Sequence, residues 1–348
     1  MSSHPAPAPV LDRLGRPLGS LRLSVTDRCN LRCQYCMPEE EYVWLPRKDL
    51  LSFDETAFVV ERFAALGVRK LRITGGEPLI RRHLPELVRL VSIVPGIEDV
   101  ALTTNGILLA RQAAALKEAG LQRITVSLDT LRSDRFRSLT RRDGLDAVRE
   151  GIAAANAAAL RPLKLDTVVI RGFNDDELVD LFEFASDQGG EIRFIEYMDV
   201  GGATGWRPDL VFDADAIRAV MADRYGGVEA VPVEDPTAPA RRYRIPDGRV
   251  FGIIASVSEP FCRACDRSRV TADGRWFRCL YAPTGLDLRA PLRAGATAAE
   301  MEALIASTWS GRDDRGAEER AALDRRTPLV AAGDLRKDPH LEMHTRGG

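Results

Sequence analysis

Three cysteines within eight residues are the most chemically suggestive feature of this sequence. Cys29, Cys33 and Cys36 have the spacing C-x3-C-x2-C and directly follow an alternating apolar run at residues 21–26. Thiolates bind soft metals, and iron–sulfur clusters in proteins are usually held by four of them. Three thiolates therefore predict a metal centre with one position left without a protein ligand. Such an open position can bind a reactive molecule.

The other three cysteines form a second group, Cys262-x2-Cys265-x13-Cys279. Residues 1–9 are rich in proline and alanine and lack the apolar core of a secretion signal, so we expect a cytoplasmic protein. In a large cytoplasmic chain, clustered cysteines bind metal more often than they form disulfides. Structural zinc is the alternative for both groups. Zinc takes four ligands in such sites, and of the four histidines His83 alone lies away from the ends of the chain.

Several basic residues are placed where they could bind an anion inside the fold. The net charge of −2 gives no reason to expect a nucleic-acid or membrane surface, so a basic site must be local. Arg22 and Lys164 alternate with apolar neighbours in predicted strands, and Arg72 lies on a third strand. A charged side chain that points into a fold is costly unless it is paired. Arg267 and Arg269 stand beside the second cysteine group.

Six strand–helix alternations are predicted to position these residues. The predicted strands cover residues 21–26, 69–74, 99–103, 123–129, 163–170 and 191–198. The predicted helices between them cover residues 52–66, 84–91, 108–119, 145–160 and 175–186. Regular alternation of this kind indicates parallel βα units, and six is fewer than the eight that close a barrel. We therefore expect an α/β fold with a partial (βα)6 barrel that is open on one side.

The regular strand–helix alternation ends after residue 201, and we divide the chain into three parts. Residues 1–10 are predicted to be a disordered tail, and residues 11–230 form the partial barrel. Residues 231–348 form a smaller α+β unit that carries the second cysteine group and covers the open side of the barrel. Its predicted elements are strands at 242–245 and 250–254 and a helix at 298–309.

The first cysteine group resembles the signature of the radical S-adenosylmethionine (SAM) enzymes. It follows the first strand of a βα repeat, has Tyr35 before its third cysteine, and is followed by GGEP at residues 75–78. In that superfamily three thiolates hold a [4Fe–4S] cluster whose open iron binds SAM. One electron then cleaves SAM to a 5′-deoxyadenosyl radical. The resemblance implies that SAM is contacted by Tyr35, Gly76, Ser127 and Met198.

From about Leu11 onward the chain also resembles the GTP 3′,8-cyclase (MoaA) family of molybdenum cofactor biosynthesis. The matching segments are RITGGEP (72–78), TTNG (103–106), VSLD (126–129), EYMDVG (196–201) and FCRACDRSRVTADG (261–274). This resemblance implies two [4Fe–4S] clusters, SAM as cofactor and GTP as substrate. The implied GTP contacts are Arg22, Arg72, Thr103, Lys164, Arg267 and Arg269. The pair Gly347-Gly348 is implied to be needed for catalysis.

The reaction implied by this resemblance is a radical cyclisation of GTP. The 5′-deoxyadenosyl radical removes the ribose 3′-hydrogen, and C3′ then attacks C8 of guanine. An electron and a proton complete (8S)-3′,8-cyclo-7,8-dihydroguanosine 5′-triphosphate, the first step of the cofactor pathway. An electron-donor protein is an implied partner, whereas contact with the next pathway enzyme and a homodimer are left open. Two residues depart from the family's pattern, Asp266 in place of the frequent Asn and Arg346 in place of an apolar residue.

Two other functions fit part of the same pattern. A different radical SAM enzyme with an auxiliary cluster, such as a peptide-modifying maturase, would share both cysteine groups. A zinc-stabilised binding protein would share them without catalysis. Arg267, Arg269 and the terminal glycine pair favour the cyclase. Metal and sulfide analysis under anaerobic conditions would separate zinc from iron–sulfur clusters.

Overall fold

The structure is a computed structural model that describes residues 9–347. The predicted disordered tail at residues 1–10 falls mostly outside the described residues, and so does Gly348. Within the described part no helix is both long enough and apolar enough to span a membrane.

A single sheet with twelve strands runs through residues 9–347. The strands are β1 (Ser20–Ser24), β2 (Lys70–Thr74), β3 (Asp99–Thr104), β4 (Arg123–Ser127), β5 (Leu163–Val169), β6 (Glu191–Glu196), β7 (Glu229–Ala230), β8 (Arg241–Arg244), β9 (Val250–Ile254), β10 (Arg267–Val270), β11 (Arg275–Phe277) and β12 (Leu286–Asp287). Their order across the sheet is β12-β11-β10-β1-β2-β3-β4-β5-β6-β9-β8-β7. The sheet does not close on itself, which confirms the expected partial barrel.

Helices connect the strands, and those between the parallel strands pack on the outer face of the sheet. They are α1 (Phe53–Ala65), α2 (Leu84–Ser92), α3 (Ala113–Glu118), α4 (Ser133–Thr140), α5 (Leu145–Ala157), α6 (Leu178–Asp187), α7 (Ala214–Tyr225), α8 (Arg289–Arg293), α9 (Ala298–Ser310), α10 (Gly316–Ala321) and α11 (Ala332–Leu335). Helix α1 begins with a capping box, since Ser52 and Glu55 exchange hydrogen bonds there. Helix α4 was not predicted.

Alternation along the parallel strands separates an apolar outer face from a polar inner face. In β5, Leu163, Leu165 and Val169 are buried and join the hydrophobic core that the strands form with the helices. Lys164 and Asp166 lie between them on the opposite face and line a cavity. Because successive side chains of a strand point to opposite faces, the prediction that Lys164 faces inward is confirmed.

The C-terminal strands extend the barrel sheet at both of its edges. Strand β10 pairs in parallel with β1, and β9 pairs in parallel with β6. Antiparallel strands follow on each side, β11 and β12 beyond β10, and β8 and β7 beyond β9. The sequence predicted a smaller C-terminal unit over the open side, but it did not predict that this unit would lengthen the same sheet in both directions.

Candidate functional site

All six cysteines line one cavity of about 580 Å³ on the inner face of the sheet. Among the described residues, the remaining site residues predicted from the sequence also line it, with the exception of Gly347. They are Tyr35, Gly76, Ser127, Met198, Arg22, Arg72, Thr103, Lys164, Arg267 and Arg269. The fold therefore gathers residues from β1 to β10 around one cavity.

The first cysteine group forms a tight loop directly after β1. The backbone N–H groups of Cys36 and Met37 donate to the Cys33 carbonyl at 2.9 and 2.7 Å, and the Leu31 N–H donates to the Cys29 thiol at 3.4 Å. Burial raises the pKa of Cys29 to about 11 and raises those of Cys33 and Cys36 further. Thiols must lose their protons to ligate a metal, so these buried thiolates need a positively charged partner. A metal cluster fits this donor set.

Two glycines after β2 allow the cysteine loop to lie against the strand end. A Cβ atom at Gly75 would stand 2.4 Å from the Thr26 carbonyl oxygen, and one at Gly76 would stand 2.4 Å from that of Arg28. The Gly76 and Glu77 N–H groups donate to these same two oxygens at 2.8 Å. The segment that leads into Cys29 is thus fixed by contacts that no larger residue would permit. This backbone packing is a second reason for the glycines, beside the ligand contact that the sequence suggested.

Tyr35 is held by a carboxylate that sequence reasoning missed. Its hydroxyl donates to Asp129 Oδ2 at 2.8 Å, and the Val168 N–H donates to Oδ1 at 2.8 Å. Burial raises the pKa of Asp129 to about 6. Ser127 ends β4 two residues earlier, and Met198 lies just beyond the end of β6. The signal for Asp129 was its position immediately after a strand that ends at the cavity.

The second cysteine group lies across the cavity on short elements. Cys262 begins a turn closed by a Cys265 N–H to Cys262 carbonyl bond of 3.2 Å. Burial raises the pKa of Cys279 to about 11. Burial also acts to raise the pKa of Cys265, but Arg267 and Arg312 outweigh it and bring the value down to about 7. Arg267 Nη2 lies 3.4 Å from that sulfur.

The two thiol triads are separate donor sets that face one cavity. In residues 9–347, no three His, Cys, Asp or Glu side chains are arranged to hold a metal ion. Each triad nevertheless offers three thiols without a disulfide partner. Iron–sulfur clusters take thiolate ligands, so both triads fit such a cluster by the chemistry of their donors.

Three arginines stand side by side on adjacent strands of the inner face. Arg22 on β1 is in register with Arg72 on β2 and with Arg269 on β10. Arg72 Nη1 donates to the hydroxyls of Thr103 and Thr125 at 2.9 and 3.0 Å. Burial, and after it the charges of Arg269 and Arg72, hold the pKa of Arg22 well below its usual value, and burial lowers those of Arg72 and Arg269 to about 10. Such crowding of buried cations favours a polyanionic ligand.

Three further basic residues on this face were missed at the sequence level. Lys70, Arg123 and Arg193 line the same cavity. They form ion pairs with Asp235, Asp99 and Glu191 respectively. The signal that could have found them is the period of two, since Lys70 precedes Arg72 by two residues and Arg123 precedes Thr125 by two.

The C-terminal segment reaches the basic face at Gly347. Arg269 Nη1 donates to the Gly347 carbonyl at 2.7 Å. Gly347 has a φ of 69°, and a Cβ there would stand 2.4 Å from Thr74 Cγ2, so only glycine fits. The His344 backbone acts to lower the pKa of the Cys36 thiol, although burial outweighs it. Gly348 lies outside the described residues.

The two departures from the family pattern both have structural roles. Arg346 is buried with its guanidinium 4.1 Å from the centre of the Phe277 ring, and its Nη1 donates to the Leu280 carbonyl at 2.7 Å. It therefore anchors the tail next to Cys279. Asp266 accepts a 2.6 Å bond from the Ser20 hydroxyl, and its backbone carbonyl accepts from Ser20 N–H at 3.1 Å. This carboxylate joins β10 to β1.

Comparisons with known proteins agree with this arrangement. The family model described as "Radical SAM superfamily" matches residues 23–185, and "Molybdenum Cofactor Synthesis C" matches residues 190–318. The chain is 55% identical to "GTP 3′,8-cyclase 3" of Mycobacterium tuberculosis (strain CDC 1551 / Oshkosh), covering 98% of this chain and 91% of that protein. It is 47% identical to "GTP 3′,8-cyclase" of Pelotomaculum thermopropionicum, covering 87% and 94% respectively.

A solved structure shares the fold at low identity. The structure titled "Crystal structure of Streptococcus suis SuiB bound to S-adenosylmethionine" has a TM-score of 0.59 and 16% identity, covering 88% of this chain and 68% of that one. At this identity the likeness concerns the fold. It supports the open α/β sheet with a further C-terminal unit.

Proposed function

We propose, because the chain belongs to the GTP 3′,8-cyclase family of radical SAM enzymes, that it converts GTP to (8S)-3′,8-cyclo-7,8-dihydroguanosine 5′-triphosphate. This is the first step of molybdenum cofactor biosynthesis. The observation that carries the proposal is the 55% identity over nearly the whole chain to proteins named for this reaction. The geometry supports it, since a buried basic face lies between two thiol triads in one cavity.

Two [4Fe–4S] clusters would be held by the two cysteine groups, Cys29, Cys33 and Cys36 for the first and Cys262, Cys265 and Cys279 for the second. When bound, a [4Fe–4S] cluster with SAM supplies one electron and the 5′-deoxyadenosyl radical that abstracts hydrogen from substrate. SAM would lie near Tyr35, Gly76, Ser127 and Met198, which surround the first group.

The protein's own task is to hold the triphosphate and to keep water away from the radical. Arg22, Arg72 and Lys164 would bind phosphate oxygens, and Arg267 and Arg269 would bind the substrate beside the second group. Guanidinium and ammonium groups bind phosphate strongly where water is excluded, because the interaction is less screened there. Fixed positions on strands also limit the motion of bound GTP, which favours a ring closure between two of its own atoms.

The C-terminal segment would complete the site. Gly347 touches Arg269, one of the proposed substrate ligands, so the terminal pair Gly347-Gly348 could set the position of that guanidinium. Burial of the basic side chains suits a radical reaction, since exclusion of water from a site prevents side reactions.

The remaining proposals concern the protein's surroundings. An electron-donor protein would reduce the first cluster, and the protein would act in the cytoplasm. Contact with the next pathway enzyme and formation of a homodimer are open to direct measurement. We retain the division at residue 230 into barrel and second-cluster parts as a proposal.

The test is an anaerobic assay with the reconstituted protein, SAM, dithionite and GTP. The cyclised nucleotide should appear together with 5′-deoxyadenosine. Formation of 5′-deoxyadenosine that does not depend on GTP, with no cyclised nucleotide, would instead favour another radical SAM enzyme. About eight iron and eight sulfide per chain are expected for two [4Fe–4S] clusters. Zinc without sulfide would exclude both enzyme proposals.

Two cysteine variants separate the roles of the groups. Cys33→Ala should abolish SAM cleavage, because the first group would lose one of its three ligands. Cys265→Ala should retain some SAM cleavage but lose cyclisation of GTP. Equal loss of both activities in Cys265→Ala would mean that the second group is structural.

A further inference from the structure

A buried group of charges lies beside the second cysteine loop and outside the basic face. Asp12, Arg16 and Arg312 are 7%, 2% and 1% exposed. Arg16 Nε donates to Asp12 Oδ2 at 2.6 Å, and Arg312 Nη1 lies 3.7 Å from the same oxygen. Removing three charges from water is costly, and burying ion pairs adds little net stability. Stabilisation of the fold therefore does not explain why these three charges are buried.

Both arginines end on the backbone of the cysteine loop. Arg16 Nη1 donates to the Cys262 carbonyl at 3.0 Å, and Arg312 Nη1 donates to the Cys265 carbonyl at 2.8 Å. Each arginine thus holds one of the two residues that bound the C-x2-C turn. Asp12 lies between the two arginines and is hydrogen-bonded to Arg16, whereas Arg312 Nε donates to Asp314 Oδ1 at 3.2 Å.

We infer that Asp12, Arg16 and Arg312 are positioning residues for the second metal site. The inference rests on the proposed function, because it takes the second cysteine group to hold a cluster. Groups behind a metal's ligands orient those ligands and tune the metal. Here the arginines fix the spacing of the Cys262 and Cys265 backbones, and their positive charges offset the negative charge of thiolate ligands.

The three residues also connect a segment that neither family model covers with one that a model does cover. Asp12 and Arg16 precede residue 23, where the superfamily match begins, and Arg312 falls within the match to residues 190–318. Among the described residues, Arg16 Nη2 is a buried donor without a hydrogen-bond partner. The segment before β1 thus contacts the second cysteine group, because Arg16 lies against the backbone of Cys262.

The experiment compares charge-removing and charge-keeping variants after anaerobic reconstitution. Arg16→Gln and Arg312→Gln should lose roughly half of the expected iron and sulfide, about four of about eight per chain, and keep SAM cleavage. GTP affinity should fall by about tenfold or more, because the second site would no longer be formed. Arg312→Lys should recover most of the iron, and the electron paramagnetic resonance signal of its reduced second cluster should shift, because the guanidinium is replaced.

The chain offers a matched control in the same two segments. Arg13 and Asp313 form an exposed ion pair at 3.3 Å, one residue away from Asp12 and Arg312 respectively. Arg13→Gln removes the same positive charge as the test variants, and Asp313→Asn removes its exposed partner. Both should keep full iron content, the parental resonance signal and the parental GTP affinity.

The possible outcomes are distinguishable. Full iron and an unshifted signal in Arg16→Gln and Arg312→Gln would overturn the inference. Loss of iron from both sites, together with loss of SAM cleavage, would also overturn it, because it would indicate a general role in folding. Cys265→Ala, measured in parallel, separates the two proposals. If Cys265→Ala loses half of its iron and the arginine variants do not, the positioning role alone fails. If Cys265→Ala keeps all of its iron, the second cluster fails and the inference with it.

Discussion

Lys164 should take up a proton when a triphosphate binds, and this makes the proposed substrate site accessible to calorimetry. Burial lowers the pKa of Lys164 to about 7, the nearby charges of Arg193, Arg123 and Arg72 act in the same direction, and Glu191 opposes them. Above neutral pH much of the ligand-free protein therefore carries a neutral amine at this position. Bound phosphate favours the ammonium form, which moves the pKa in the complex back toward its usual value of 10.5.

The size of the effect follows from this difference in pKa. Free protein must bind a proton at Lys164 before the charged complex can form, so affinity falls as the pH rises above about 7. A change from about pH 7.5 to about pH 8.5 should weaken GTP binding roughly eightfold, with uptake of about one proton per site. The free energy of unfolding of the ligand-free protein should change in the opposite sense and rise across this window, because the unfolded lysine keeps its proton.

Calorimetric titration of the reconstituted protein with GTP, in two buffers of different ionisation enthalpy, measures both quantities. Lys164→Arg should bind GTP with little change across this range, since a guanidinium stays charged. Lys164→Gln should bind weakly at every pH and take up no proton. Lys117→Gln removes an exposed lysine on α3 and should keep the parental slope. Titrations should stop near pH 9, because the pKa values of Arg72 and Arg269 are lowered to about 10.

Two results would refute this reasoning. A GTP affinity that stays constant from about pH 7.5 to about pH 8.5 would mean that Lys164 does not gain a proton in the complex. A slope that persists unchanged in Lys164→Gln would assign the proton to another group. The second result would leave room for a triphosphate site, but not one in which Lys164 is the coupled cation.

Two further predictions concern the loops that close the site. Gly76→Ala places a Cβ 2.4 Å from the Arg28 carbonyl oxygen, so it should destabilise the protein by about 1–3 kcal/mol in urea unfolding and reduce the iron held by the first group. Gly205→Ala meets nothing within 4 Å and is the matched control, and equal iron loss in both would contradict the packing argument. Deleting Gly347-Gly348 removes the 2.7 Å bond to Arg269, and since bonds to charged groups contribute about 1.5–3 kcal/mol, turnover should fall at least roughly tenfold with iron content unchanged. Turnover within about twofold of the parent would mean that this contact has no catalytic role.

Some local features of the cavity could be predicted from the sequence. The inward direction of Arg22 and Lys164 followed from alternation along a strand, a property of the backbone that tertiary contacts do not change. The position of Cys29 at the end of β1 followed from its place after an apolar run. Lys70 was missed although the same alternation marks it, because it lies outside the RITGGEP segment that begins at Arg72.

The pairing of distant segments could not be predicted from the same patterns. Strand β10 has four residues and its parallel partner β1 has five, so neither sequence indicates the other. The Asp12–Arg16–Arg312 group is formed only when residues 12–16 pack against the segment that contains Arg312. The sequence around a single charged residue does not show that the residue will be buried. Helix α4 was also missed, since its polar sequence resembles a loop.

The pairing of β1 with β10 has a consequence for how the chain reaches its native state. Ser20 and Asp266, which join these strands, are 246 positions apart. Contacts between residues so distant in sequence are slow to form, because a long loop must close first. During synthesis on the ribosome, the edge of β1 stays unpaired until the residues around Cys265 have been made. The edge of β6 likewise stays unpaired until β9 has been made. An unpaired edge is a template for aggregation. Nascent barrels of this protein should therefore depend on chaperones until the second cysteine group has emerged.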